Sequence, residues 1–372
     1  MGTGKKISLE LAPEPEPVRG EFEVGSYLFP GWCVRDRWER VLSCPTVATP
    51  VLGNYPIGMP AIADWQIKWA VEHAITFFCV DWYYADGAVR LNLGLEGGFL
   101  RSRFIDYIKF CVMWCNHQTW DRQNLLDAVE YAAQRYFGHP SYLKIDDRPV
   151  YVIIAGYHLA EKQGVGAAKK AISEVRKICT DKGHLDPYLV CGNDGMFRRE
   201  EEDTLSAAAE ERFEIVHELG FDAINGHNYT YMLPYVRPRE PGNLISYTRH
   251  MEMYEKIWQW HRDKGRIPYW PVTMVGQDER PWHGENGVIF KEDRTPEAFA
   301  KTCERIKKYV ADDKFLMLYC WNEWGEGAFL EPTEEEGFTY LDVLRKVFAP
   351  DAGPHTDVRP SEPIALDDWS RA

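Results

Sequence analysis

The 372-residue chain lacks the features that mark several common classes of protein. No basic run exceeds two or three residues and the net charge is −14, so nothing is available to displace counterions from a nucleic acid. The same balance disfavours a polyanionic polysaccharide and points to a neutral substrate. No segment approaches the apolar length of a membrane span. Met1 to Pro17 is polar and rich in Pro and Glu, without the apolar stretch of a signal peptide, so a cytoplasmic location away from membranes is the expectation. A paired-cysteine framework is missing too. The nine cysteines are an odd number, and Cys79, Cys111 and Cys320 sit inside apolar runs as small hydrophobes. Cys111 and Cys115 have no second pair at zinc-site spacing, and His117, His139 and His227 form no recognisable metal set. Neither a metal nor an organic cofactor is expected. Nothing in the sequence fixes an oligomeric state.

What is present is a large apolar fraction, 45%, and an unusual aromatic load of 14 Trp, 20 Tyr and 17 Phe. Short runs rich in Val, Ile, Tyr and Phe recur at 24–32, 76–84, 110–116, 149–155, 188–193, 222–228, 268–275 and 315–321, as buried parallel strands should. Between them lie amphipathic stretches at 63–73, 125–137, 166–182, 205–219, 246–264, 296–310 and 340–347. Thr204 and Thr295 are the candidate N-caps of two of these, the second followed by Pro296. The second helix is the weakest, placed within 98–108. Eight β-α units favour a single closed (β/α)8 TIM barrel over an open sheet. An open doubly wound sheet usually carries a glycine-rich phosphate loop after its first strand, and Phe29-Pro30-Gly31-Trp32 is not one. The barrel would span 21–348, between a flexible leader over 1–20 and a Pro/Asp-rich tail over 349–372 that wraps the barrel or is disordered.

Catalytic groups of such barrels lie at the C-terminal ends of the strands. The eighth strand ends Cys320-Trp321-Asn322-Glu323-Trp324-Gly325-Glu326-Gly327, then Glu331-Pro332. Two carboxylates three residues apart would face opposite ways on a continuing strand, but Gly325 and Gly327 permit a tight turn that aims both into one cavity. Neighbouring carboxyls do not easily both ionise, which separates an acid from a base, as glycosidic cleavage requires. Glu323 and Glu326 are therefore the candidate catalytic pair. Aromatic and amide-rich strand ends supply candidates for sugar binding. These are Trp32, then Asp81, Trp82 and Tyr83, then Trp114 and Asn116, then Asn193 and Asp194, then His227, Asn228 and Tyr229, and finally Trp321 and Trp324.

The run Trp321–Gly327 with Glu331-Pro332 resembles the signature of glycoside hydrolase family 99 and its WbsX-like relatives. Also similar are Tyr27-Leu28-Phe29-Pro30, the aromatic run Phe77–Tyr84, Trp114-Cys115-Asn116, and the segment His139–Asp146 with Arg148-Pro149-Val150. The resemblance covers roughly 24–347. It implies a (β/α)8 barrel that cleaves α-mannosidic or other 1,2-trans linkages with retention. The glutamate matching Glu323 would draw the proton from the sugar's own 2-hydroxyl, forming a 1,2-anhydro sugar. The one matching Glu326 would protonate the leaving group and later activate water. Many WbsX-like sequences continue the third strand as Asn-Glu-Asn-Trp, where this chain reads Asn116-His117-Gln118-Thr119-Trp120, which implies a different sugar beside the scissile bond. The expectation is a retaining glycoside hydrolase acting on an oligo- or polysaccharide. A non-catalytic glycan-binding barrel in surface polysaccharide metabolism and a transglycosylase are the alternatives.

Overall fold

The computed structural model describes residues 9–115, 121–193, 199–201, 204–205, 207–229, 245–290 and 292–371. Its centre is a parallel sheet of β1 (Glu23–Leu28), β2 (Phe77–Ala85), β3 (Lys109–Trp114), β4 (Arg148–Ile154), β5 (Tyr188–Asn193), β6 (Ala223–Gly226), β7 (Tyr269–Trp270 and Val272–Met274) and β8 (Phe315–Tyr319). Each strand pairs with the next in sequence, and β8 pairs with β1. The seventh strand is broken at Pro271, which has no N–H to give to a ladder. Its first half pairs with β6 and its second half with β8. Nine hydrogen-bonded pieces thus make eight strands, and the ring all but closes through that proline.

Helices cover the outside at Pro60–Glu72, Arg122–Arg135, Val165–Asp181, Ala207–Glu218, Tyr247–Lys264, Pro296–Tyr309 and Thr339–Phe348. Thr295 caps its helix as its sequence position implies, accepting from Ala298 N at 3.1 Å with Pro296 at the first helical position. Thr204 does not. It lies in a two-residue strand paired with Arg199–Glu201, and the helix begins at Ala207. No α-helix occupies 98–108. A π-helical turn (Leu93–Gly98) and two 3₁₀ turns (Phe99–Arg101, Ile105–Tyr107) take that place. Asp64, on the preceding helix, ties this irregular segment down by accepting from Ser102 Oγ (2.7 Å), Arg103 N (2.8 Å) and Arg103 Nε (2.7 Å).

Pro60–Glu72 is buried on every side from Ile62 onward. Its outer face is covered by both ends of the chain, which corrects the reading of a flexible leader for residues 9–20. Trp65 Nε1 donates to Glu10 O and Val18 N to Val71 O. The tail closes over the same helix. Trp69 Nε1 donates to Val358 O, Ser361 N to Glu10 Oε2, and Ile364 bridges to Gly53. Trp65 and Trp69 therefore serve the seating of the leader and tail. Lys68 is buried within this covering, paired with Glu72 one turn later.

Asp64→Ala should cost about 2–3 kcal/mol, because a buried acceptor of three hydrogen bonds is lost while Arg103 remains partly solvated. Thermal or urea unfolding beside wild type checks this. A change within a few tenths of a kcal/mol would mean the segment 93–107 is held by packing alone.

Candidate active site

Beyond β8 the chain turns back within a few residues, and the buried polar atoms of the turn are mostly paired. The Tyr319–Cys320 peptide is cis. Trp321 N donates to Tyr27 O at 2.7 Å. Asn322 fastens the turn to the end of β1. Its Oδ1 accepts from Phe29 N (2.8 Å), its Nδ2 donates to Phe29 O (3.1 Å), and its own carbonyl accepts from Trp32 Nε1 (2.7 Å). A short antiparallel pair, Asn322–Glu323 with Ala328–Phe329, returns the chain around the 3₁₀ turn Trp324–Glu326. Gly327 takes a left-handed φ of 57° against Asp278, and a Cβ on Gly325 would lie 1.9 Å from the Trp282 ring. Underneath, Glu331 accepts from Tyr55 OH (2.5 Å), Gln66 Nε2 (3.1 Å) and Trp324 Nε1 (3.2 Å). Burial pushes its carboxyl up to about 7 against the pull of those donors.

Glu323 and Glu326 line one cleft of about 690 Å³ at the C-terminal end of the barrel. Their environments differ. Glu326 Oε2 accepts from Tyr319 OH (2.6 Å), Gln277 Nε2 (3.3 Å) and Asn228 Nδ2 (3.4 Å). Donors of this kind favour the charged carboxylate. Glu323 is buried and its Oε1 has no hydrogen-bond partner. Burial pushes its carboxyl well above the usual range. The neighbouring Glu326 and Asp81 add to this, while Arg37 and a hydrogen bond from Trp282 oppose it. Asp81 is raised in the same way, by burial first and Glu326 second. Three adjacent carboxyls in low dielectric do not all carry charge, so the set holds protons at a pH where free glutamate has none.

The walls of the cleft combine apolar and aromatic groups, Phe29, Tyr83, Leu91 and Trp282, with charged ones, Asp36, Arg37, Arg40 and Arg90. Trp282 stacks on Trp32 with ring planes 9° apart, and Arg40 lies 5.9 Å over it. Arg37 donates to Gly31 O at 2.8 Å and covers the Phe29 ring. An overall charge of −14 thus coexists with three arginines at the site.

Of the other residues singled out in the sequence, Tyr83 lines the cleft, Asn228 holds Glu326, and Asp81 lies close enough to feel Glu326. His227 packs edge-on between Tyr27 and Tyr319, the latter a donor to Glu326. Several indoles are elsewhere. Side chains alternate along a strand, so with Asp81 and Tyr83 turned to the site, Trp82 points to the helix layer, against Tyr131 and Tyr136. Trp114 is its register partner and is buried on that same side. Trp321 is buried against Phe78, Trp324 stacks on Phe329 over Glu331, and Trp32 is buried behind Trp282. Tyr229 packs on Tyr254 and Tyr269. None of these six lines the cleft. Asn116 and Asp194 lie outside the described residues, as does the side chain of Asn193. Sequence reading missed Trp282, Gln277, Tyr319 and the three arginines. Gln277 follows β7 by three residues, a polar strand end of the sort already sought, whereas Arg37 and Arg40 sit on a short helix, Arg35–Leu42, that carries no such signal.

A carboxyl whose pKa is raised on folding binds protons more tightly in the native state, so its contribution to stability declines as pH climbs from the unfolded value, about 4.3, through the raised native one. Glu323→Gln should therefore match wild type in melting temperature at low pH and exceed it by a margin that grows toward neutral pH. Melting curves from pH 4 to 8 test this, and a constant offset would contradict the burial of an ionisable Glu323.

Comparison with known proteins fits this geometry. Among solved structures, a glycoside hydrolase-like protein superposes with a TM-score of 0.59 at 16% identity, over 93% of this chain and 98% of the other. The GH99 endo-alpha-mannosidase from Bacteroides thetaiotaomicron also superposes with 0.59, at 14% identity over 88% and 96%. At these identities the likeness is one of fold. Uncharacterized protein WxcX of Xanthomonas campestris pv. campestris is 24% identical over 348 residues, covering 86% of this chain and 46% of its own length. The chain thus spans about half the length of the curated relatives it matches. Residues 45–344 match the family described as Glycosyltransferase WbsX, and the chain, a TIM barrel with glycosidase-like architecture, belongs to that family.

Proposed function

We propose that this chain is a retaining glycosidase in which Glu323 and Glu326 work as a pair sharing one proton. The observation that carries the reading is the burial of Glu323, its Oε1 without a hydrogen-bond partner, beside a hydrogen-bonded Glu326 in one aromatic-walled cleft. Before a sugar binds, the proton belongs on Glu323, because burial penalises its charge while three donors bond to Glu326. A sugar whose 2-hydroxyl donates to Glu323 reverses that preference and hands the proton to Glu326. Glu323 then draws the hydroxyl proton as the 2-oxygen attacks the anomeric carbon, and Glu326 protonates the departing oxygen. Water opens the 1,2-anhydro ring with Glu326 as base, and Glu323 returns the proton to the 2-oxygen. Two inversions give net retention, and only 1,2-trans glycosides such as α-mannosides have the required geometry.

The family description favours keeping a second reading, transglycosylation, in which a sugar hydroxyl replaces water at the same pair. A non-catalytic glycan-binding barrel would keep the aromatic walls without needing both carboxyls. Arg37 and Arg40 broaden the substrate class, since either suits a carboxylate or phosphate on a neighbouring sugar unit.

The test is turnover of aryl glycosides and oligosaccharides, α-mannosides and uronic-acid glycosides included, with products analysed for hydrolysis and for transfer. Glu323→Gln and Glu326→Gln should each lower kcat/KM by at least about a hundredfold, with the fold intact by circular dichroism. An activated leaving group such as dinitrophenol should rescue Glu326→Gln and leave Glu323→Gln inactive. Rescue of the opposite variant would reverse the roles, and glycan binding without turnover in wild type would favour the binding barrel. For wild type, kcat/KM should fall as pH rises through an ionisation displaced above the ordinary glutamate value of about 4.3, because the pair must keep its one proton. An alkaline limb at that ordinary value would contradict a shared proton that burial places on Glu323.

A further inference from the structure

The N-terminal end of the barrel, opposite the cleft, carries a second cluster of polar side chains that glycoside chemistry does not use. Glu72 and His73 close the helix Pro60–Glu72 just before β2, and His355 and Asp357 come from the tail that covers it. Ligand atoms of His73, His355 and Asp357 all lie within 4.8 Å of one another. His73 Nε2 and His355 Nε2 are each 3.2 Å from Asp357 Oδ1, and Glu72 Oε2 is 3.7 Å from His355 Nε2. Despite this closeness none of the contacts has hydrogen-bond geometry. Glu72 Oε2, His73 Nε2, His355 Nε2 and Asp357 Oδ1 are all buried atoms without a hydrogen-bond partner. Four such atoms in one place are costly to leave unmet, on the order of 1–3 kcal/mol each.

The groups around them are arranged to leave those atoms available. His73 Nδ1 lies 2.6 Å from Trp69 O. That contact puts a proton on Nδ1, so that in the neutral imidazole, the form that binds a metal, Nε2 offers its lone pair to the cluster. Glu72 Oε1 accepts from Lys68 Nζ and from Glu16 N (2.9 Å), so that Oε2 is the oxygen left for the cluster. A tetrahedral ion with bonds of about 2.0–2.1 Å holds neighbouring donors about 3.3 Å apart, close to the 3.2 Å that separates Asp357 Oδ1 from each imidazole and the 3.7 Å between Glu72 and His355. Asp342 Oδ1 stands 3.7 Å from His73 Nε2 on the exposed side and adds negative charge. Glu72 and His73 are fully enclosed, while the Asp357 side chain is one-quarter exposed and leaves a way in from solvent.

We propose that Glu72, His73, His355 and Asp357 form a structural zinc site that clasps the C-terminal tail to the barrel. Two imidazole nitrogens and two carboxylate oxygens are a donor set suited to zinc, and they close its coordination shell with protein atoms alone. Because Glu72 is also held by Lys68 and by Glu16 of the leader, one ion would fasten both chain ends over the same helix. Its sequence signature is nearly invisible, since 281 positions separate the first two residues from the last two.

The full chain, stripped with a chelator and desalted, would be titrated with zinc chloride by calorimetry. Metal content by mass spectrometry and melting temperature would be followed in parallel, and cobalt(II) would serve as a spectroscopic probe. Wild type should bind one zinc per chain, melt several degrees higher with it, and give the intense visible bands of tetrahedral cobalt. His355→Ala and Asp357→Asn should weaken zinc binding at least a hundredfold and lose most of the melting shift. If either variant is poorly folded, His355→Gln and the cobalt spectrum of wild type decide instead. No stoichiometric zinc in wild type, or unchanged affinity in both tail variants, overturns the proposal. Neither readout depends on whether the cleft hydrolyses glycosides, so the two claims stand or fall separately.

Discussion

The pairing of Asn322 with the backbone of Phe29 is the contact on which the site depends. One buried amide satisfies both the N–H and the carbonyl of Phe29, while its own carbonyl receives the Trp32 indole. This welds the end of β8 to the end of β1 at the point where strand pairing has stopped. A residue without both donor and acceptor would strand backbone groups away from water. Glu323 and Glu326 follow directly and inherit their positions from that weld. Glu331 supports the turn from below through Tyr55, Gln66 and Trp324. Trp282 closes it from the side, against a glycine that admits no Cβ.

The barrel treats buried charge in two ways. Asp64 and Glu331 are each enclosed with three donors, at least one to either oxygen, and they organise irregular backbone. Glu323 and Asp81 are enclosed with an oxygen left unpaired, an arrangement that costs stability and is retained where chemistry benefits from a poised proton. The Glu72 cluster has that same unpaired character at the other end of the molecule, far from any cleft that a glycan would enter.

Much of the fold is legible in the sequence because parallel strands and covering helices write different periods. All eight strand positions were marked by runs of Val, Ile, Tyr and Phe, and β7 was marked even though Pro271 divides it. The segment 93–107 was not, because it replaces a helix with turns tied to Asp64, and no local pattern records a contact made 38 residues away. The site was half legible. Glu323 and Glu326 stand out between glycines and indoles, but tryptophan alone does not reveal which way it faces. Trp82 and Trp114 occupy outward positions that strand alternation assigns once Asp81 is turned inward. Trp282, the indole that does line the cleft, lies on a four-residue helix, Arg280–His283, in a segment after β7 of otherwise ordinary polarity. Covered chain ends were equally hidden, because a Pro- and Glu-rich leader looks solvated until Glu10, Glu16 and their partners on Pro60–Glu72 are brought together.

The central claim is that Glu323 and Glu326 share a proton that burial places on Glu323. Difference infrared spectroscopy reads this without a substrate, by following the protonated-carboxyl band of wild type through a pH titration with Glu323→Gln as the reference. The account predicts a protonated Glu323 band that persists toward neutral pH and is missing from the variant. A Glu323 that ionises near pH 4, with no band lost on substitution above that pH, would contradict it.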